Sequence, residues 1–285
     1  MNIYLDTNLW NELVDQAIPT RVLHGALLQQ NKRLALGDQT LFELAQTFLV
    51  SPQRAQALIT YVQEFAVVGV TVTHSMQEML HREAKSHGAP VEPFAVGEEY
   101  GKFLSAVHEL SIGTLDVTVR EEMALRQQSV PSNRTGQQQH LVNRPDKRDE
   151  LRGIGENQLP AWLDAEMRRP RGLALLMGQL VRLLGIPEPM AALCAQELLG
   201  LPMTRVAKGL VRADLYFNWR CAHMCSIKKD LQHDVHHVLS ASYCDIYATK
   251  EANHANYAHL LLPPETGVRV YDESVAIDHW LLALN

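Results

Sequence analysis

Asn2-Ile3-Tyr4-Leu5-Asp6-Thr7-Asn8 stands near the start of the chain, and Ile246-Tyr247-Ala248-Thr249-Lys250-Glu251 stands about forty residues from its end. Each reads as a short apolar strand that stops at a polar turn carrying an acid. Asp6-Thr7-Asn8 combines residue types that favour turns and helix N-caps, and Leu9, Trp10, Leu13 and Val14 follow at helical spacing. The opening segment is therefore strand, acidic turn, helix. The same rhythm continues outward from it. Pro19-Thr20 opens a helix, residues 34–37 form a second strand candidate, and Leu41, Phe42, Leu44, Ala45 and Phe48 mark the next helix. Ser51-Pro52 places a capping serine before a proline at the first helical position, and residues 70–73 alternate like a short strand. Around the second quoted stretch, residues 215–227 read as helix, Asp234 opens another, residues 253–262 form a third, and residues 268–271 form a last strand. Short strands alternating with helices predict an α/β fold with a parallel sheet built from both chain ends.

The middle of the chain differs. We assign residues 1–83 and 213–285 to the α/β core, and 84–212 to a mainly helical insertion. Within that insertion, residues 126–158 are polar, rich in Gln, Asn and Arg, and broken by Pro131, Gly136 and Pro145, the pattern of a long loop. The most apolar stretch, residues 173–186, contains Gln179 and Arg182 and ends before Pro187, too short and too polar for a membrane span. With 285 residues, 46% hydrophobic and 20% charged, the chain has the material for a sizeable core. Its net charge of −6 argues against general electrostatic attraction to nucleic acid, but leaves room for a local basic patch. Cys194, Cys221, Cys225 and Cys244 lie in helical or apolar patterns without a framework of short loops, as reduced thiols do. The opening run lacks the pattern of a signal peptide, so the expected setting is cytoplasmic.

In a parallel α/β sheet, ligands bind beyond the carboxyl ends of the strands. Asp6 follows the first strand and sits at that edge. A helix leading into a parallel strand starts at the same edge, which places Asp234 there, and Thr249 and Glu251 lie at the far end of the strand it feeds. Asp245 begins that strand, on the order of 13 Å from Thr249 at the rise of an extended chain, and is the weaker alternative to Glu251. Glu43, about a turn into its helix, points back over the edge. Asp6, Glu43, Asp234 and Glu251 together form a carboxylate cluster that needs offsetting cations or partial protonation. Oxygen-only ligands suit Mg²⁺ or Mn²⁺, and the matching reaction is metal-assisted phosphodiester hydrolysis. Asn8 and Thr249 are candidates for orienting ligands or water.

At these residues the sequence resembles the PIN-domain superfamily of nucleases. The resemblance lies in the strand ending in Asp6-Thr7-Asn8, the helix bearing Glu43, Asp234-Val235-His236-His237, and the stretch from Tyr243 through Thr249-Lys250-Glu251. It covers about residues 1–80 and 213–275. It implies a parallel-sheet fold, a pocket for one or two divalent metals, and endonucleolytic cleavage of single-stranded RNA, with DNA left open. The sequence departs from the family's commonest pattern by carrying glutamate rather than aspartate at position 251.

Competing readings attach to the same residues. Asp6 and Asp234 are also ordinary helix caps, and Asp38 is a nearby substitute for Glu43. Cys221-Ala222-His223-Met224-Cys225, with His233, His236 and His237, suggests zinc, although two cysteines one helical turn apart on an apolar face are more simply core residues. Arg144, Arg148 and Arg152, and the Arg168-Arg169-Pro170-Arg171 run, offer phosphate contacts or a solvated surface. A haloacid-dehalogenase-type phosphatase would carry a second aspartate where Asn8 stands. A non-catalytic nucleic-acid-binding or scaffold protein on the same fold is the other rival. The apolar insertion helices need a partner surface, either the core, a second copy of the chain or a regulatory protein. Repulsion within an all-carboxylate cluster leads us to expect that Asp6→Asn and Asp234→Asn both leave the fold intact or stabilised.

Overall fold

The computed structural model describes residues 1–112, 145–223 and 231–285. Five parallel strands form the sheet: β1 (Asn2–Leu5), β2 (Arg33–Leu36), β3 (Thr71–Val72), β4 (Ile246–Thr249) and β5 (Gly267–Val270), in the order β3-β2-β1-β4-β5. The first three strands step outward on one side of β1, and the chain then returns to lay β4 and β5 on the other side. The order therefore reverses at β1, the position at which open α/β sheets place their ligand sites.

Strand side chains sort by the two-residue period of extended chain. Ile3, Leu5, Leu34, Leu36, Ile246 and Ala248 enter one apolar cluster, while Tyr4, Ala35 and Tyr247 enter the other. Both faces are covered, which is why the central strands read as unbroken apolar runs. The first face is closed by α1 (Thr7–Asp15), α2 (Thr20–Gln29), α3 (Asp38–Gln46), α4 (Pro52–Gly69), α6 (Gly97–Ser111) and α14 (Ile277–Ala283), whose buried residues include Trp10, Leu23, Leu44, Phe65, Val107 and Leu281. The second face is closed by α5 (Met76–Ser86), α11 (Arg205–Ala222), α12 (Leu231–Ser240) and α13 (Ala252–Leu261), through Leu80, Leu210, Leu239 and Ala258 among others.

The helical addition is narrower than residues 84–212. Phe94 bridges to Thr73, the Ala95 amide donates to the Val72 carbonyl, and α6 packs on α4, so residues 95–111 belong to the first face of the core. α11 begins ten residues before the expected 215, because Val206, Ala207, Leu210 and Val211 continue its buried stripe. Between them lie α7 (Pro145–Arg152), α8 (Leu159–Met167), α9 (Pro170–Leu184) and α10 (Glu188–Gly200). Leu163, Leu176, Leu180, Ala191 and Leu198 from these helices join the same apolar cluster as the second face. The addition thus extends the core rather than standing apart from it. The loop expected over 126–158 is helical over Pro145–Arg152 and Glu156–Gln158, and residues 113–144 lie outside the described part of the chain. Among the described residues, no helix is long and apolar enough to cross a membrane.

The seam between addition and core rests on a buried acid. Thr204, at the N-cap position of α11, sends its hydroxyl to the Leu198 and Leu201 carbonyls instead of the helix. Glu83 of α5 replaces it, accepting from the Val206 amide at 2.7 Å, the Ala207 amide at 2.8 Å and the Tyr243 hydroxyl at 2.7 Å. Two of the orphan amides of the helix start are thereby satisfied by a different helix. Burial pushes the Glu83 carboxyl above the ordinary glutamate range, against the opposing pull of Tyr243 and the amides. Glu83→Gln leaves one amide facing an NH₂ group, and should cost about 1–3 kcal/mol. Because the folded state holds the Glu83 proton more tightly than the unfolded chain, this site's contribution is complete at low pH and declines as pH rises through the raised value. Thermal melts of Glu83→Gln should therefore show a deficit that shrinks with rising pH. A deficit that grows with pH would mean that the ionised carboxylate is the better cap.

Candidate active site

The carboxyl ends of β1 and β4 bring the site together. Asp6, directly after β1, is buried and four-fold engaged. Its amide donates to the Ala248 carbonyl, Oδ1 accepts from the Thr7 amide at 2.7 Å, and Oδ2 accepts from the Thr249 hydroxyl at 2.8 Å and faces His254 Nδ1 at 3.1 Å. The same side chain that caps α1 also ties β1 to β4 and to the first turn of α13. Glu43 projects from α3 toward the same edge. Its Oε2 accepts from the Thr7 hydroxyl at 2.6 Å, and its Oε1 accepts from Gln39 at 3.0 Å and lies 2.9 Å from His237 Nε2.

Two histidines outside the expected ligand set, His237 and His254, are central to the site. His237 lies three residues after Asp234 in α12, so the two share a helix face, and His254 stands in the first turn of α13 after β4. A histidine at i+3 from an acid, in a helix starting at the active edge, was the available signal. Each histidine is held from below by a strand tyrosine. The Tyr4 hydroxyl is 3.0 Å from His237 Nδ1 and 3.2 Å from the Thr40 hydroxyl, and the Tyr247 hydroxyl is 3.1 Å from His254 Nε2. Tyr4 and Tyr247 are register partners in adjacent strands, with rings 6.0 Å apart and stacked. Two parallel chains result, Tyr4–His237–Glu43 and Tyr247–His254–Asp6.

These contacts set the charges. Burial alone would raise the Asp6 carboxyl, but the His254 hydrogen bond, the charges of His237 and His254, and Thr249 hold it down at about 2. Glu43 is likewise lowered despite its burial, chiefly by His237. Burial opposes a charge on either imidazole, yet the Glu43 and Asp6 carboxylates keep His237 and His254 above the ordinary histidine range. Asp234 moves the other way: burial, together with the Asp6 and Glu43 charges, raises it to about 6 against the pull of His254.

Asp6, Glu43 and His237 each offer a ligand atom, all within 4.8 Å of one another, so the trio is able to hold a metal ion. Among the described residues this is the one such group. The expected four-carboxylate, oxygen-only set is corrected accordingly. The metal-capable group includes a histidine, while Asp234 and Glu251 lie outside the trio and line an adjoining cavity of about 480 Å³. Asp234 does not open its helix but sits on the fourth residue of α12. Glu251 is exposed at the turn after β4, where its amide donates back to the Thr249 hydroxyl at 3.2 Å. Asp245 is at the opposite edge of the sheet, where it accepts from the Asn2 amide, and is removed from the candidate set. Thr249 supports Asp6 as described, and Asn8 accepts from the Lys250 amide at 3.3 Å.

Of the basic candidates, Arg144 lies outside the described residues. Arg148 lies beside Asp149 at 3.8 Å, and Arg152 donates to the Ala222 carbonyl at 2.8 Å, closing the C-terminal end of α11. Arg152 is thus a helix-end partner through its Nε, with its terminal nitrogens on the side of Asp149. Cys221 is half-buried and belongs to no metal-capable group among the described residues, and Cys225 lies outside them. No family model matches this sequence, and neither a curated protein nor a solved structure matches it. Fold and site together define a parallel α/β protein with an acid–histidine centre at its topological switch point.

The charge arrangement separates two substitutions that repulsion alone would treat alike. Asp6 contributes stability above the usual aspartate range, and that contribution is lost as pH falls toward 2. The Asp234 contribution is complete at low pH and is lost as pH rises through about 6. At pH 7, in chelator-treated protein, Asp6→Asn should lower the melting temperature because it strands the buried His254 imidazole and removes part of the negative charge that offsets His237. Asp234→Asn should raise it. Melting curves in which both variants are stabilised would restore simple repulsion as the governing effect.

Proposed function

We propose that this chain is a divalent-metal-dependent nuclease with a PIN-like fold, hydrolysing phosphodiester bonds in single-stranded RNA. The observation that supports it most directly is the convergence of Asp6, Glu43 and His237 at the switch point of a parallel sheet, beside a cavity that also carries Asp234. Mg²⁺ and Mn²⁺ both suit the carboxylates, and the imidazole makes Mn²⁺ the better match to the mixed set. Such an ion, when bound, would supply a polarised water as nucleophile and positive charge to offset that developing on the leaving oxygen. The residues supply the rest. Asp6 and Glu43 would hold the ion with their negative charge, and the Thr249 and Thr7 hydroxyls fix the carboxylates in place. His237 offers Nε2 while Tyr4 holds Nδ1, which orients the ring. Asp234, raised toward neutrality beside the cavity, is the group suited to take the proton from the attacking water.

A second reading draws on the two imidazoles. His254 against Asp6 and His237 against Glu43 already offset the buried carboxylates, so the centre is also consistent with a non-catalytic nucleic-acid-binding protein that needs no cation. End-labelled single-stranded RNA, incubated with protein and Mn²⁺ or Mg²⁺, distinguishes the two. Cleavage should require the metal and stop with chelator. Glu43→Gln should reduce it at least about 100-fold, and Asp234→Asn by about 10²–10⁴-fold. RNA bound but left whole under every metal condition would favour the non-catalytic reading.

A further inference from the structure

The cavity beside Asp234 has a composition that the hydrolytic centre alone does not account for. Its wall is aromatic: Tyr216 and Trp219 of α11 stack at 6.1 Å with an interplanar angle of 18°, and Tyr257 of α13 lies 5.3 Å from Tyr216. Trp219 is fixed by its indole N–H, which donates to the Ile154 carbonyl at 2.9 Å. Asn253 and Asn256 stand one helical turn apart on α13 with exposed side chains, and both line the opening. Tyr257 is only 4% exposed, and its buried hydroxyl has no hydrogen-bond partner among the described residues. An orphaned buried hydroxyl costs about 1–3 kcal/mol, so a ligand atom that satisfies it is favoured.

We infer that this cavity receives one unstacked nucleobase of a single strand, and that it favours bases carrying an exocyclic amino group, namely adenine, cytosine and guanine, over uracil. The volume of about 480 Å³ falls in the range of roughly 300–1,000 Å³ typical of small-molecule sites. Flat apolar walls suit a planar heterocycle, and the two asparagine amides offer donor and acceptor together for its edge. The charge of the lining argues against a phosphate as occupant. Asp234, Glu251 and Glu156 stand against a single arginine, Arg220. Carboxylates at the rim instead complement an amino group, the donor that uracil lacks. Asp234 lines this cavity and feels the Asp6 and Glu43 charges, so a base seated here lies beside the acid–histidine centre. Only an unstacked base can enter, which makes single strands the substrate. The link to cleavage rests on the nuclease reading above, but occupancy of the cavity does not.

The test uses the full chain freed of metal with chelator, so that no cleavage is needed. Binding of AMP, CMP, GMP and UMP is measured by calorimetry, with ribose 5-phosphate as the probe lacking a base. At least one amino-bearing nucleotide should bind five-fold or more tightly than UMP, and ribose 5-phosphate should bind more weakly still. Tyr257→Phe, which removes only the hydroxyl, should weaken the best nucleotide about five- to tenfold, the value of one hydrogen bond in a dry site. Its melting temperature without ligand should not fall. UMP or ribose 5-phosphate binding as well as the best nucleotide overturns the inference, and so does unchanged affinity in Tyr257→Phe. Nucleotide binding without RNA cleavage would leave this inference standing and remove the nuclease reading. Cleavage with no nucleotide binding would do the reverse.

Discussion

A carboxylate buried at the end of the central strand is the constraint around which the molecule is organised. Asp6 cannot keep its charge in a dry position unless several groups turn toward it, since an unpaired buried charge is far more costly than any single contact can offset. Thr7, Thr249 and His254 turn toward it from three different elements. Each of those partners in turn fixes a helix or strand end: the start of α1, the end of β4 and the start of α13. The site and the junction of the two chain ends are therefore one structure. The second pair, His237 with Glu43, repeats the solution one strand away and ties α3 to α12 across the same edge.

The tyrosines beneath explain why the two pairs are so similar. Parallel strands in register bring Tyr4 and Tyr247 side by side on one face, and each hydroxyl rises to an imidazole. Burial pushes both phenols well above their usual range, so they remain neutral partners that orient rings without adding charge. Space for Tyr4 depends on Gly37 at the end of β2. A Cβ there would lie 2.8 Å from the Tyr4 hydroxyl and 2.9 Å from the Thr73 hydroxyl, closer than side-chain carbons approach. The glycine is required by this close approach rather than by its backbone angles, which are extended.

The helical addition shares the core's packing and one of its charges. Its apolar faces are spent on α5 and α11, and Glu83 secures the start of α11 from the core side. Glu156 and Leu159, at the edge of the addition, line the cavity with Asp234 and Tyr257. An element added to a compact α/β fold here extends the wall of its binding region.

The strand positions, the helices of the first seventy residues, the parallel sheet and the edge assignment of Asp6 and Glu43 were legible in the sequence. Period-two runs, helical stripes and turn chemistry are local, and the carboxyl-edge rule turns them into a map of the site. Asp245 was already demoted by strand length alone, and the structure places it at the far edge. The partners of the acids were not legible. His237 and His254 lie far in sequence from Glu43 and Asp6, and only packing brings α12 and α13 over the ends of β1 and β4. Glu251 reads as a ligand because it stands at the carboxyl edge just beyond β4, but it is exposed beside the cavity and outside the metal-capable trio. Whether a carboxylate meets an imidazole or another carboxylate determines the sign of its pKa shift, and that meeting is a property of side-chain directions in three dimensions. Sequence by itself determined which residues stand at the edge; tertiary structure decided which of them face one another, because charge pairing acts through a few ångströms of space and takes no account of distance along the chain.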